Sequence, residues 1–132
     1  MPFRKGQGFL SAKKYDQAVE AFGMATHLDP NQGEYVSHLG YAQFLSNPKD
    51  AVVQRESMEQ IARGIKASPD REMPHIYLAR ILQQKGDIEG AEKVFRRALK
   101  INPDSHAANQ ALRVLKMRED KGKGLFSRLL KR

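Results

Sequence analysis

The sequence predicts an all-α solenoid of antiparallel helix pairs, and three observations carry that prediction. The first is a spacing that recurs before a proline. Five, eight and twelve residues before Pro103 stand Ala98, Phe95 and Ala91; the same steps from Pro30 reach Ala25, Phe22 and Ala18, and from Pro69 they reach Gly64, Ile61 and Ser57. The second is the period: Pro69 and Pro103 lie 34 residues apart, and self-similarity on that scale marks stacked supersecondary units. The third is that the apolar residues of each segment recur at helical spacing, with no convincing strand pattern anywhere in the chain.

The elements follow in order. Residues 2–12 read as a helix burying Phe9 and Leu10, with Gly6 where a neighbouring helix must approach closely. A second helix over 16–27 carries Ala18, Val19, Phe22 and Ala25 on one side and ends before Pro30, which cannot continue the ladder. A third is expected over 33–45 on Val36, Leu39, Gly40 and Leu45. Asn47-Pro48-Lys49-Asp50 reads as a start signal, with Asn47 as cap and Pro48 in the first helical position, for a helix over 48–67. Pro30 and Pro69 are 39 residues apart, five more than the other spacing, and the extra length is expected at this helix start. Pro74 is tolerable only in a first turn, ahead of Ile76, Leu78, Ala79 and Leu82. Gly86 is placed to close that helix in the left-handed conformation, and Asp87 to cap the next, with Ile88, Ala91, Val94, Phe95, Ala98 and Leu99 on one side. After Pro103, Asp104 or Ser105 is expected to cap a last helix over 105–118 bearing Ala107, Ala108, Ala111, Leu112 and Leu115. A polar stretch, 118–124, then leads to a short amphipathic segment with Leu125, Phe126, Leu129 and Leu130 on one face and Arg128, Lys131 and Arg132 off it.

Composition narrows the function classes. The chain has 132 residues, no cysteine and a net charge of +8. Disulfides and thiolate metal sites are therefore excluded. No apolar run approaches the roughly 20 residues of a membrane span, and a reducing, cytoplasmic setting is expected. Residues 105–132 hold eight Lys or Arg against Glu119 and Asp120, so most of the net charge sits at one end. A basic end suits an acidic partner surface, a membrane or nucleic acid. The four histidines, His27, His38, His75 and His106, lack ligand spacing; His38 is expected toward a groove and the others at the surface. Glu56 and Glu59 read as a solvated face. No catalytic residue, metal or cofactor is implied, and an enzyme is not expected.

These residues resemble the tetratricopeptide repeat. Leu78-Ala79, Leu82, Gly86, Ile88, Ala91, Phe95, Ala98 and Pro103 fit the signature best; Gly6, Phe9, Tyr15, Ala18, Phe22, Ala25 and Pro30 match in the first unit, and Leu39-Gly40, Ile61, Gly64 and Pro69 in the second. The resemblance implies a right-handed superhelical array with repeats over about 1–32, 33–70 and 71–104, a capping helix over 105–118 and a basic amphipathic tail over 119–132. The first helix is about three residues short of its counterpart in the third unit, so a C-terminal part of a longer protein is expected.

The resemblance also implies function. First helices of such units line a concave groove that takes a peptide or helix of another protein, as an adaptor or scaffold. By position the groove would show Phe3, Arg4, Gln7, Leu10 and Ser11, then Glu34, Ser37, His38 and Tyr41, then Met73, Ile76, Tyr77, Arg80 and Gln84. Tyr41 and Tyr77 serve there either as partner anchors or as packing between repeats. One subgroup of the family clamps chaperone C-terminal carboxylates with Lys, Asn and Arg; here the matching places hold Phe3, Gln7, His38, Met73 and Tyr77, so that role is not implied. The alternative is an anchor to a membrane surface or anionic partner through Leu125, Phe126, Arg128, Leu129, Leu130, Lys131 and Arg132. One aromatic in the tail and a groove without a basic track argue against nucleic acid. Self-association through exposed terminal faces is a further expectation.

Overall fold

In the computed structural model the described residues, 1–130, form α1 (Pro2–Ser11), α2 (Tyr15–Leu28), α3 (Gly33–Ser46), α4 (Ala51–Ala67), α5 (Glu72–Gln84), α6 (Ile88–Ile101) and α7 (His106–Leu130). Each helix packs on the next in sequence, and α3 also lies directly against α5. Among the described residues there is no strand. This is the expected stack of helix pairs, with α7 closing the end.

The core is divided between neighbours rather than gathered in one place, as a linear array requires. One cluster joins Ala18 and Phe22 of α2 to Ala42 of α3. A second joins Tyr41 and Phe44 of α3, Ile61 of α4, and Tyr77 and Ile81 of α5. A third joins Ile76 and Ala79 of α5, Ala91, Val94, Phe95 and Ala98 of α6, and Ala108 and Leu115 of α7. The recurring small-large-small spacing now has its physical cause. Ala91 and Ala98 are fully covered because they are the gaps into which neighbouring ridges fit, and Phe95, 1% exposed, is the side chain that fills the space between them. At Gly6 a Cβ atom would stand 2.5 Å from the Phe22 ring, so the expected close approach is real.

The helix ends follow local chemistry. Gly86 has φ +90°, and the Asp87 carboxylate accepts from Gly90 N at 3.0 Å, as the sequence predicts. Ser105 is the cap of α7, its Oγ accepting from Ala108 N at 3.2 Å. Pro74 is the third residue of α5, within the first turn.

Three expectations are corrected. α4 starts at Ala51, not at Pro48: residues 47–50 form a turn, and Asp50, not Asn47, caps the helix by accepting from Val52 N at 2.8 Å and Val53 N at 3.1 Å. A carboxylate at a helix N-terminus also meets the favourable end of the dipole, which an amide does not do as well. The extra five residues are accordingly spread out. α3 is one residue longer than α5, at 14 against 13, and α4 three longer than α6, at 17 against 14; the connector between α3 and α4 takes the last one. Second, His75 is buried rather than on the surface, with Nε2 3.5 Å from the Pro69 carbonyl. Third, the polar stretch 118–124 does not interrupt the chain: α7 is one helix of 25 residues through it. Arg118, Glu119 and Lys121 are good helix formers, Lys123 Nζ lies 3.0 Å from Glu119 Oε1 one turn away, and no proline follows to stop the ladder. Gly122 and Gly124 each cost about 1 kcal/mol in a helix interior, which those formers offset.

Candidate functional site: the face of the first helices

The first helices α1, α3 and α5 present a continuous row of rings. Phe3 stacks on Tyr35 at 4.4 Å and meets His38 edge-on at 4.9 Å. His38 stands edge-on to Tyr77 at 4.9 Å and 89°, and Tyr77 lies flat on Tyr41 at 4.1 Å and 9°. Arg80 closes the row with its guanidinium 5.9 Å from the centre of the Tyr41 ring. The row arises because positions 38, 41 and 77 face across the α3–α5 seam, where flat rings fill the space between two stacked helices.

This packing fixes protonation. His38 Nδ1–H donates to the Glu34 carbonyl at 2.7 Å, since a carbonyl can only accept. Burial holds the His38 pKa below its ordinary value, more strongly than that hydrogen bond raises it. His38 is therefore a neutral ring in the seam. Burial, and to a lesser degree the neighbouring Tyr41, pushes the Tyr77 phenol far above its ordinary range. Neither tyrosine hydroxyl is a buried polar atom without a partner; among the described residues only Ser57 Oγ and His75 Nδ1 are.

The expected groove residues thus divide. Arg4, Gln7, Ser11, Arg80 and Gln84 are exposed; Phe3, Leu10, Glu34 and Met73 are half-buried. His38, Tyr41 and Tyr77 are buried in the ring row, with Tyr41 8% and Tyr77 4% exposed. Ile76 is fully covered within the α5–α6–α7 cluster, and Ser37 is turned inward to donate to the Gly33 carbonyl at 2.8 Å. The tail residues Leu125, Phe126, Arg128, Leu129 and Leu130 are exposed, while Lys131 and Arg132 lie outside the described residues.

Sequence reasoning missed one wall of this face. Between α5 and α7 runs a cleft of about 370 Å³, lined by Arg80, Gln83, His106, Ala107, Gln110, Ala111 and Val114 and floored by Phe95. The signal was present. A step of 34 residues from Met73, Ile76, Tyr77 and Arg80 lands on Ala107, Gln110, Ala111 and Val114. α7 therefore begins as the first helix of a fourth unit, with smaller side chains at the positions where α5 carries large ones. The step from α5 to α7 opens a cleft where the step from α3 to α5 is filled by Tyr41 and Tyr77.

Among the described residues no group of three His, Cys, Asp or Glu could hold a metal ion, and no helix is long and apolar enough to cross a membrane. What the geometry defines is an all-α stack in which each helix packs on the next. Residues 74–105 match the family profile of the tetratricopeptide repeat. The first repeat domain of human RPAP3 superimposes with a TM-score of 0.75 at 15% identity, covering 93% of each chain. The first repeat domain of Spaghetti (RPAP3), solved with the HSP90 peptide SRMEEVD, gives 0.74 at 16% identity over 90% of this chain and 93% of that one. A STIP1 homolog of Dictyostelium discoideum is 26% identical over 108 residues; the match takes in 82% of this chain, which spans 18% of that protein's length. Residues 74–105 thus carry a tetratricopeptide repeat, and the chain as a whole shares the fold of tetratricopeptide-repeat domains.

Proposed function

We propose that this chain is a protein-interaction module, an adaptor or scaffold rather than an enzyme, whose concave face holds a peptide or helix of another protein. The observation that carries the reading is the cleft between α5 and α7. Its floor is apolar, from Phe95, Ala107, Ala111 and Val114, and its rim is polar, from Arg80, Gln83, His106 and Gln110. That is the layout of a site for one apolar anchor side chain with hydrogen bonds to the flanking main chain. The related RPAP3 domain was solved with an acidic HSP90 peptide. In this chain the positions matching a two-carboxylate clamp hold Phe3, Gln7, His38, Met73 and Tyr77, none of them a fixed cation. We therefore take the ligand to be a segment with an apolar anchor, not a chaperone tail. Arg4 and Gln7 extend the face at the far end, and Met73 and Gln84 flank its centre. The setting we take to be the cytoplasm.

The test is peptide selection by display on the native chain, followed by titration of the selected peptides. Val114→Glu and Arg80→Glu should each weaken binding by about tenfold or more, the loss expected for a hot-spot contact. Selected peptides that bind both variants as tightly as the native chain would sink the groove. Tyr41→Phe and Tyr77→Phe are the informative changes in the ring row, since they remove only the hydroxyls and keep the seam packed.

A further inference from the structure

The second half of α7 poses a separate question. Ala108 and Leu115 of α7 are buried, and from Lys116 to Leu130 every residue is exposed. The reason is that α6 ends opposite. Ile88 and Glu89, its first residues, border one cleft with Leu115, Arg118 and Glu119, Glu92 and Arg96 border another that reaches Lys123, and residues 124–130 lie beyond both. The overhang of 116–130 is about 22 Å long at the rise of an α-helix.

Large apolar side chains recur on α7 past the point where its neighbour ends. On a helical projection Leu125, Phe126, Leu129 and Leu130 fall within an arc of about 140°, and Ala108 and Leu115 lie inside the same arc. After Leu115 the arc passes Arg118, Glu119 and Gly122, and beyond the array it carries four large apolar side chains that are 54%, 64%, 69% and 71% exposed. Charge says what covers them. From residue 121 to 130 the ionisable side chains are Lys121, Lys123 and Arg128, with no acid; Glu119, which pairs with Lys123, and Asp120 precede them, and Lys131 and Arg132 follow in the sequence. All three described cations lie outside the apolar arc, where they flank it.

We propose that residues 121–130 of α7 lie on an anionic phospholipid surface, with Leu125, Phe126, Leu129 and Leu130 in the acyl boundary and Lys121, Lys123 and Arg128 among the headgroups. A basic amphipathic helix of this kind binds in the plane of the interface. Each cation multiplies the affinity for an anionic leaflet by about fivefold. Folding on the surface, which an isolated helix this short must undergo, is already complete here because the helix is continuous with the packed half of α7. The same helix carries Gln110 and Val114 of the cleft, so a bound tail would hold the groove about 16 Å along α7 from Leu125.

The experiment is sedimentation of the full chain with phosphatidylcholine vesicles containing phosphatidylserine, and with phosphatidylcholine vesicles alone. Binding is expected to the anionic vesicles, to fall several-fold in high salt, and to be lost in the Leu125→Asp, Leu129→Asp double variant. Arg128→Glu should weaken it by about tenfold. These positions are exposed, so an unchanged thermal transition confirms that the body stays folded. The Val114→Glu variant of the cleft should bind vesicles like the native chain, which separates failure of the groove from failure of the tail. Equal sedimentation of the native chain and the double variant overturns the proposal. So does binding to heparin or polyglutamate without binding to vesicles, or a lipid-free dimer that the double variant abolishes while vesicles are not bound.

Discussion

α6 and the end of α7 carry the same kind of information in sequence and meet opposite fates. Each is an amphipathic helix with a phenylalanine in its apolar stripe. Phe95 is 1% exposed among α5, α6 and α7, and Phe126 is 64% exposed with nothing packed on it. A stripe determines what a helix would bury; whether it buries anything depends on a neighbour standing at the right height. α6 is packed along its length between α5 and α7, whereas α7 outruns the helices it packs on. An unfilled stripe in an array is therefore a place to look for a second surface, and a filled one is a place to look for stability.

That contrast is open to direct test. Phe95→Ala should cost about 3–5 kcal/mol, the range for truncating a buried aromatic, read by urea unfolding. A much smaller loss would mean that the cluster collapses around the gap. Next in size is Gly64→Ala. A Cβ there would stand 2.5 Å from the Gly33 carbonyl and closer still to Ser37 Oγ. An overpacking cost of about 1–3 kcal/mol follows, and an unchanged midpoint would show that α3 and α4 can separate freely. A pH dependence comes next. His38 and His75 both have pKa values lowered by burial from the ordinary 6.5. Below that value the unfolded chain takes up protons that the folded chain does not, so stability should fall as pH drops from about 6.5 toward the folded values. It should be regained fully above 6.5, and a Tm that does not decline from pH 7.5 to pH 5 would contradict the burial of both rings. Smallest of all, Phe126→Ala should change stability by less than about 0.5 kcal/mol; a loss comparable to that at Phe95 would mean that the tail folds back onto the body.

Much of this was legible because repeats write the same physical constraint several times. The small residues before Pro30, Pro69 and Pro103 mark where helix backbones or ridges come close, and Gly86 with Asp87 marks a turn whose chemistry is local. The start of α4 was misplaced because Asn47-Pro48 and Asp50 are both respectable caps within four residues, and the carboxylate took the role. The face of the first helices was legible in position but not in exposure. Tyr41, Tyr77 and His38 fall where a groove residue should fall, yet their rings stack across the seam between α3 and α5. The α5–α7 cleft was missed because the period was counted three times and not a fourth.

The sequence by itself determined the all-α repeat architecture, most helix ends, and the residues that build the stack. Spacing and local caps act through neighbours a few positions away, and a 34-residue period repeats them. Only the tertiary structure decided which apolar side chains were spent. Burial is a property of two surfaces, and the sequence of one helix does not state how far its neighbour extends. The rings of Tyr41 and Tyr77 found each other, the small residues of α7 left a cleft over Phe95, and α6 stopped short of Leu125.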